Sequence, residues 1–264
     1  MFKSNKNGES PTLKIPNTTR VYTIADIHGR SDLLIRTLKA IAKDAQPYPN
    51  QRRLLITLGD YIDRGPSSYQ VIDLLCHLPL TNFETKHLKG NHEAMLVDFL
   101  ANPIDNGILW LSNGGYTTLL SYGFSTIDLP DTIEKMPDAR DKLLNLMPSK
   151  HLHFFKSLRL NYHLGDYYFV HAGIRPGISL DNQVEDDLIW IRKEFLHSQE
   201  DFGKIIVHGH SISSTPQELN NRIGLDTGAF HTGIMTCLVL QGEDRYFLQI
   251  NENVNHPIKI NHYR

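Results

Sequence analysis

Three times in the first hundred residues, an apolar, β-branched run ends in acidic, histidine or asparagine side chains and gives way to a helical stretch. RVYTIAD (20–26) precedes IHGRSD and a segment in which Leu34, Leu38 and Ile41 recur at helical spacing. RRLLITLGD (52–60) precedes a turn and SSYQVIDLLCHL, and ETKHLKGNHE (84–93) leads into AMLVDFLAN. Short apolar strands alternating with amphipathic helices predict βαβ units and a mainly parallel sheet. In such a sheet, ligands gather outside the carboxyl ends of the strands. Those ends carry Asp26 and His28, Asp60 and Asp63, and Asn91 and His92. Singly, each pair also reads as a turn or a helix cap, because Asp and Asn are good N-caps. Recurrence at three consecutive strand ends favours the functional reading.

The rest of the chain changes grammar. Residues 94–160 read as mostly helical, with a Gly-rich turn at 113–115 and breaks at Pro103, Pro130, Pro137 and Pro148, and are expected to form a helical cap or insertion. Beyond them, NYHLGDYYFVHAG (161–173) predicts a hairpin turning at 164–166. KIIVHGHS (204–211), RIGLDTG (222–228), GIMTCLVL (233–240) and DRYFLQI (244–250) predict further strands in a second sheet packed on the first. EDDLIWIRKEFL (185–196) predicts one short amphipathic helix. The expected organisation is α/β: a flexible polar arm over 1–19, a single domain over 20–250 and a tail over 251–264.

Composition narrows the function classes. With 27 basic and 29 acidic residues, the net charge is −2, which argues against a polyanion-coating protein and an extended nucleic-acid groove. No run approaches 18 uncharged apolar residues and the first residues carry no apolar signal core, so no membrane partner and a cytoplasmic location are expected. Cys76 and Cys237 lie in apolar runs with no CxxC spacing, which predicts buried reduced thiols and excludes a cysteine zinc site. Fourteen histidines justify a search for a metal or acid–base centre. The strand ends offer Asp26, His28, Asp60, Asn91, His171 and His210, a mixed oxygen and nitrogen set suited to Mn²⁺, Fe or Zn²⁺. Six donors exceed the needs of one catalytic ion and suit two ions, ~3.5–4 Å apart, that share a carboxylate.

ADIHGR (25–30), GDYIDRGP (59–66), KGNHE (89–93), HAGI (171–174) and HGH (208–210) resemble, in order and spacing, the signature blocks of the calcineurin-like metallophosphoesterases. More narrowly they resemble the phosphoprotein phosphatase family of serine/threonine phosphatases in its small bacterial form, over about residues 20–250. The resemblance implies two packed mixed β-sheets flanked by helices in a four-layer αββα sandwich. It also implies two divalent ions, most often Mn²⁺, and direct attack of a metal-bridging hydroxide on phosphorus. Asp26 and His28 would hold the first ion, Asp60 would bridge, and Asn91, His171 and His210 would complete the second. His210 rather than His208 matches the family's ligand in HGH. His92 would be the general acid and Asp63 would hold its tautomer. Arg64 would fork onto the phosphate together with Asn91, and Arg192 is the candidate for a second phosphate-binding arginine. Gly59, Gly65 and Gly90 would let the backbone pass close to the ions.

Asp63 and Glu93 favour a phosphomonoesterase acting on phosphorylated protein or a small phosphoester, since dinucleoside tetraphosphatases commonly lack this Asp and carry GNHD. Against that, residues 225–249 resemble the C-terminal part of the symmetrical bis(5'-nucleosyl)-tetraphosphatases, which is the alternative. A non-catalytic metal-dependent scaffold predicts missing ligands or a missing His92, and neither is missing.

Overall fold

The computed structural model describes residues 13–256 and 258–262. One sheet of six strands has the order β11-β10-β9-β1-β2-β3, and a second of five has the order β4-β5-β6-β8-β7. In chain order these are β1 (Thr19–Ile24), β2 (Arg52–Thr57), β3 (Phe83–His87), β4 (Asn161–Leu164), β5 (Tyr167–Val170) and β6 (Ile205–His208). They continue with β7 (Gln217–Glu218), β8 (Arg222–Gly224), β9 (Ile234–Gln241), β10 (Asp244–Asn251) and β11 (Lys259–His262).

Alternating side chains divide the interior into layers. Val21 of β1, Leu54 and Ile56 of β2, and Leu238 and Leu240 of β9 meet Tyr167, Phe169, Ile205, Val207 and Ile223 of the second sheet. Their neighbours Tyr22, Ile24, Leu55, Cys237 and Val239 face the other way, onto the helices 31–45, 68–76 and the cap. On the far face of the second sheet, Tyr168, Val170 and Ile206 pack against Leu188, Ile189 and Phe195. The result is the expected helix–sheet–sheet–helix sandwich. Each central strand is apolar on both faces because each is covered on both.

The structure differs from the sequence reading in four places. The strands over 233–240 and 244–250 join the first sheet, not the second: β9 pairs antiparallel with β1, whose other edge β2 occupies. A fully buried β1 requires hydrogen-bond partners on both edges, and β9, buried over six of its eight residues, supplies the second. Within the arm, residues 1–12 lie outside the described residues, but residues 13–19 are tied down. Ile15 is buried between the sheets and donates its N–H to Gly242, while Lys14 N donates to Asp166. In the tail, β11 adds a strand to β10. Finally, the helix expected over 185–196 breaks into 185–190 and 193–196, with Arg192 at φ −133°, ψ −89°. The break lets Ile189, Ile191 and Phe195 all reach the core while Arg192 stays exposed.

Candidate metal centre

Parallel pairing lines up the carboxyl ends within each sheet, and the two sheets meet so that both sets of ends converge on one cluster. In the first sheet, β1, β2 and β3 end just before Asp26/His28, Asp60/Asp63/Arg64 and Asn91/His92. In the second, the parallel strands β5, β6 and β8 end just before His171, His210 and Asp226. The backbone there is strained to aim these side chains. Of seven non-glycine residues with positive φ among the described residues, six are Asp26, His28, Asp60, Asp63, Arg64 and His210. Left-handed backbone is rare outside glycine, costs on the order of 1–3 kcal/mol per residue, and clusters at functional sites.

Asp60 sits at the centre. Its Oδ2 is 3.5 Å from His28 Nε2 and 3.8 Å from His92 Nε2, and its Oδ1 is 3.4 Å from His171 Nε2. One carboxylate thus faces two donor sets, His28/Asp60/His92 and Asp60/His171/His210, all buried. Asn91 Oδ1 lies 3.0 Å and His210 Nδ1 3.2 Å from His171 Nε2, which places both in the second set. Asp26 joins the cluster from β1, its two oxygens accepting the backbone N–H of His210 at 3.1 and 3.0 Å.

His28 and His171 are oriented as metal ligands usually are, with one nitrogen on a backbone carbonyl and the other turned inward. His28 Nδ1 donates to Ile62 O at 2.8 Å and His171 Nδ1 donates to Leu58 O at 3.0 Å. Burial pulls the pKa of His28 down to about 3 against the attraction of Asp60, and burial with His171 beside it pulls His210 to about 2. Neutral imidazoles with inward lone pairs are the form that binds a cation. Burial opposes ionisation of Asp60, but His171, His92, His28 and His210 overcome it and hold its pKa below the ordinary carboxylate range. The donor set therefore fits two divalent ions sharing Asp60, in the mixed N/O chemistry of hard-to-borderline metals.

His92 is fully buried, with Nδ1 2.7 Å from Asp63 Oδ2. Its Nε2 makes no hydrogen bond among the described residues and faces Asp60. Burial lowers its pKa, and Asp60 and Asp63 more than reverse this, leaving it above 6.5. Arg64 lies beside the first donor set, with Nη1 3.0 Å from His28 Nε2. Arg192 is exposed but close enough to His171 and His210 to lower their pKa values. His208 is buried behind the site and belongs to neither donor set, its Nδ1 meeting Gly209 O at 3.0 Å. Cys76 ends a helix and Cys237 lies within β9, so neither belongs to the cluster.

Several residues do work that the sequence reading missed. Glu93 accepts N–H groups from Asp60 (2.8 Å), Tyr61 (2.8 Å) and Gly90 (3.0 Å), clamping the β2 and β3 loops together. Beside this clamp, Gly59 and Gly90 are the close-approach positions that the sequence predicts: Gly59 has φ 108°, a side chain there would strike the Gly90 backbone, and one at Gly90 would strike Asp60. From the cap, Trp110 Nε1 donates to both Asp63 oxygens at 3.2 and 3.1 Å, and Thr118 Oγ1 donates to Oδ1 at 2.6 Å. Asp226 lies against Asp26, where burial pushes its pKa up to about 6. The sequence signal for Asp226 was its place at a strand end, hidden because RIGLDTG reads as one strand whereas β8 stops at Gly224. Trp110 and Thr118 carried no such signal, since their separation from Asp63 is 47 and 55 residues.

Comparison with known proteins agrees with this geometry. The chain is 27% identical over 219 residues to serine/threonine-protein phosphatase 2 of Escherichia coli, covering 81% of this chain and 89% of that one. It is 28% identical over 237 residues to the asymmetrical bis(5'-nucleosyl)-tetraphosphatase PrpE of Anoxybacillus flavithermus, covering 81% and 88%. A shorter match, 35% identical over 103 residues, links it to serine/threonine-protein phosphatase 1 of Salmonella typhimurium, spanning 39% of this chain and 42% of that one. The fold is similar to the crystal structure of a putative diadenosine tetraphosphatase, with TM-score 0.61, 20% identity and coverage of 90% and 96%. The profile of the calcineurin-like phosphoesterases matches residues 19–231, most of the chain. A sandwich whose strand ends converge on shared metal-type donors, matched along that length, means that the chain belongs to the calcineurin-like phosphoesterase family.

Proposed function

We propose that this chain is a dinuclear-metal phosphomonoesterase of the serine/threonine protein phosphatase type. The observation that carries the reading is the Asp63–His92 pair. A seryl or threonyl alkoxide is a poor leaving group and needs a proton as it departs, whereas a nucleoside polyphosphate leaves as a stable anion. His92, held at Nδ1 by Asp63 and free at Nε2, has the geometry of such a proton donor.

Asp26, His28 and Asp60 would hold one ion, and Asp60, Asn91, His171 and His210 the other, with Mn²⁺ the favoured metal. Bound there, the ions would supply Lewis acidity at the phosphate and lower the pKa of a water. Arg64 forks onto the phosphate oxygens, and Arg192 reaches them from the solvent side. Asn91 offers its amide beside them. Water adds its hydroxyl to phosphorus and gives its other proton to solvent, the P–O ester bond breaks, the proton on His92 Nε2 passes to the departing oxygen, and solvent returns a proton to His92. The products are the free alcohol and inorganic phosphate. No cysteine lies in the cluster, so no phosphocysteine enters the scheme.

The test is a competition on Mn²⁺-loaded protein, with a chelated control, among a phosphothreonine peptide, a phosphotyrosine peptide and diadenosine tetraphosphate. Chelator-sensitive phosphate release from the peptides is expected. His92→Ala should slow alkyl ester hydrolysis ~10²–10⁴-fold, with a much smaller loss on an activated aryl ester. Equal losses on both would remove His92 from the acid role.

A second reading is favoured by the tetraphosphatase relatives that match along most of the chain. On that reading only the dinucleotide disappears, and the products, two ADP or ATP with AMP, show whether cleavage is symmetrical.

A further inference from the structure

We infer that Phe230 is the wall against which the leaving group of the substrate packs, and that it extends the site's range to aryl phosphate esters such as phosphotyrosine; the inference rests on the phosphomonoesterase reading above. Three rings form a row at the first donor set. His92 and His28 meet edge-to-face with centroids 4.7 Å apart, and His28 and Phe230 meet edge-to-face at 5.3 Å. The row runs from the inward nitrogen of the proposed acid to a phenyl ring that is only partly buried. The same ring carries the Arg64 guanidinium 4.9 Å from its centroid, so it borders the phosphate position as well as the acid.

The segment that presents Phe230 is built to hold it still. Ala229–Thr232 form a single helical turn between two left-handed glycines, Gly228 (φ 67°) and Gly233 (φ 68°). Asp226 Oδ1 accepts the Gly228 N–H at 2.8 Å, Arg30 Nη1 donates to Ala229 O at 2.9 Å, and Thr232 Oγ1 donates to Thr227 O at 2.8 Å. A partly open aromatic ring fixed by this many bonds is pre-organised to receive another ring, and aromatic pairs contribute beyond their buried area. Reach selects the partner. Phe230 packs directly on a proposed metal ligand, so it can touch a ring joined to phosphorus through one ester oxygen. The adenine of a dinucleoside polyphosphate is separated from the scissile phosphorus by ribose and further phosphate. Trp190, by contrast, lies 6.2 Å from His210 and so flanks the second donor set.

The test uses two phosphonates that cannot be hydrolysed, phenylphosphonate and methylphosphonate, titrated calorimetrically into the Mn²⁺-loaded full chain. The wild-type protein should bind the phenyl compound more tightly. Phe230→Leu should reduce that phenyl-over-methyl preference about three- to tenfold, the range of one aromatic pair, and Phe230→Trp should restore it. A merely structural role, such as steadying Arg64, would weaken both ligands alike and overturn the inference. So would a preference that disappears in Trp190→Ala but survives in Phe230→Leu. Failure of the protein to release phosphate from either peptide refutes the phosphomonoesterase reading on its own, because the phosphonate ratio is read from binding.

Discussion

The strand-end loops and the helical cap build the same centre by opposite means. The loops supply the candidate ion donors except Asn91, which opens the helix 91–101, and four of them, Asp26, His28, Asp60 and His210, stand on strained backbone with positive φ. The cap supplies no such donor. It contributes relaxed helical residues, Trp110 and Thr118, whose hydrogen bonds converge on one carboxylate, Asp63. Asp63 in turn fixes His92. The loops therefore create the charge of the site, and the cap sets the orientation of the proton donor. Gly114, at φ 109° in the cap's tight turn over 111–115, also packs against the Arg64 backbone and accepts its N–H. Both groups proposed to act on the two sides of phosphorus, the acid and the arginine, are thus braced by the insertion.

Substitutions on either side should separate these contributions. The largest effect is expected from Asp60→Asn. It removes the oxygen pair that faces both donor sets, so metal analysis should find both ions lost together, with turnover falling by more than the ~10²-fold typical of an outer partner. Retention of one full equivalent would break the assignment of Asp60 as the shared ligand. Trp110→Phe and Thr118→Val come next. Each deletes one donor to buried Asp63, at a cost of about 1–2 kcal/mol, or roughly 5- to 30-fold in turnover on an alkyl ester. Metal content should stay at the wild-type level. Loss of ions from either variant would mean that the cap shapes the donor sets as well as the acid.

The smallest effect concerns the seam between sheet and cap. His87 of β3 hydrogen-bonds Thr57 Oγ1 at 2.8 Å and lies 5.1 Å from the ring of Phe154 in the cap. Burial lowers its pKa to about 4. The unfolded chain, with an ordinary value of 6.5, takes up the proton first. Stability from the neutral ring is then complete above pH 6.5 and lost as pH falls toward 4. In the metal-free protein, unfolding free energy should drop by up to about 2–3 kcal/mol across that window. His87→Gln should flatten the drop, and an unchanged slope would show that the seam does not hold its histidine neutral.

Much of this was legible in the sequence because the relevant signals are local. An apolar, β-branched run that ends in acidic, histidine or asparagine side chains states both a strand and what stands at its end, and Asp26, His28, Asp60, Asn91, His171 and His210 were legible on that basis. The hairpin at 161–170 was equally plain. The placement of β9 and β10 was not, because an apolar strand carries no mark of which sheet it will complete. That depended on the edge of β1 left unpaired by β2. The break at Arg192 was likewise hidden, since Leu188, Ile189 and Phe195 keep a helical spacing whether or not the helix is continuous.

The sequence by itself determined the alternation of strands and helices, the donor types and their order, since each is fixed by neighbours within a few positions. Only the tertiary structure decided that Asp60 faces two donor sets, that Glu93 clamps two loops, that Trp110 and Thr118 hold Asp63, and that Phe230 stands beside Arg64. Those contacts join residues far apart along the chain. They exist only once the two sheets have packed and the cap has closed over their carboxyl ends.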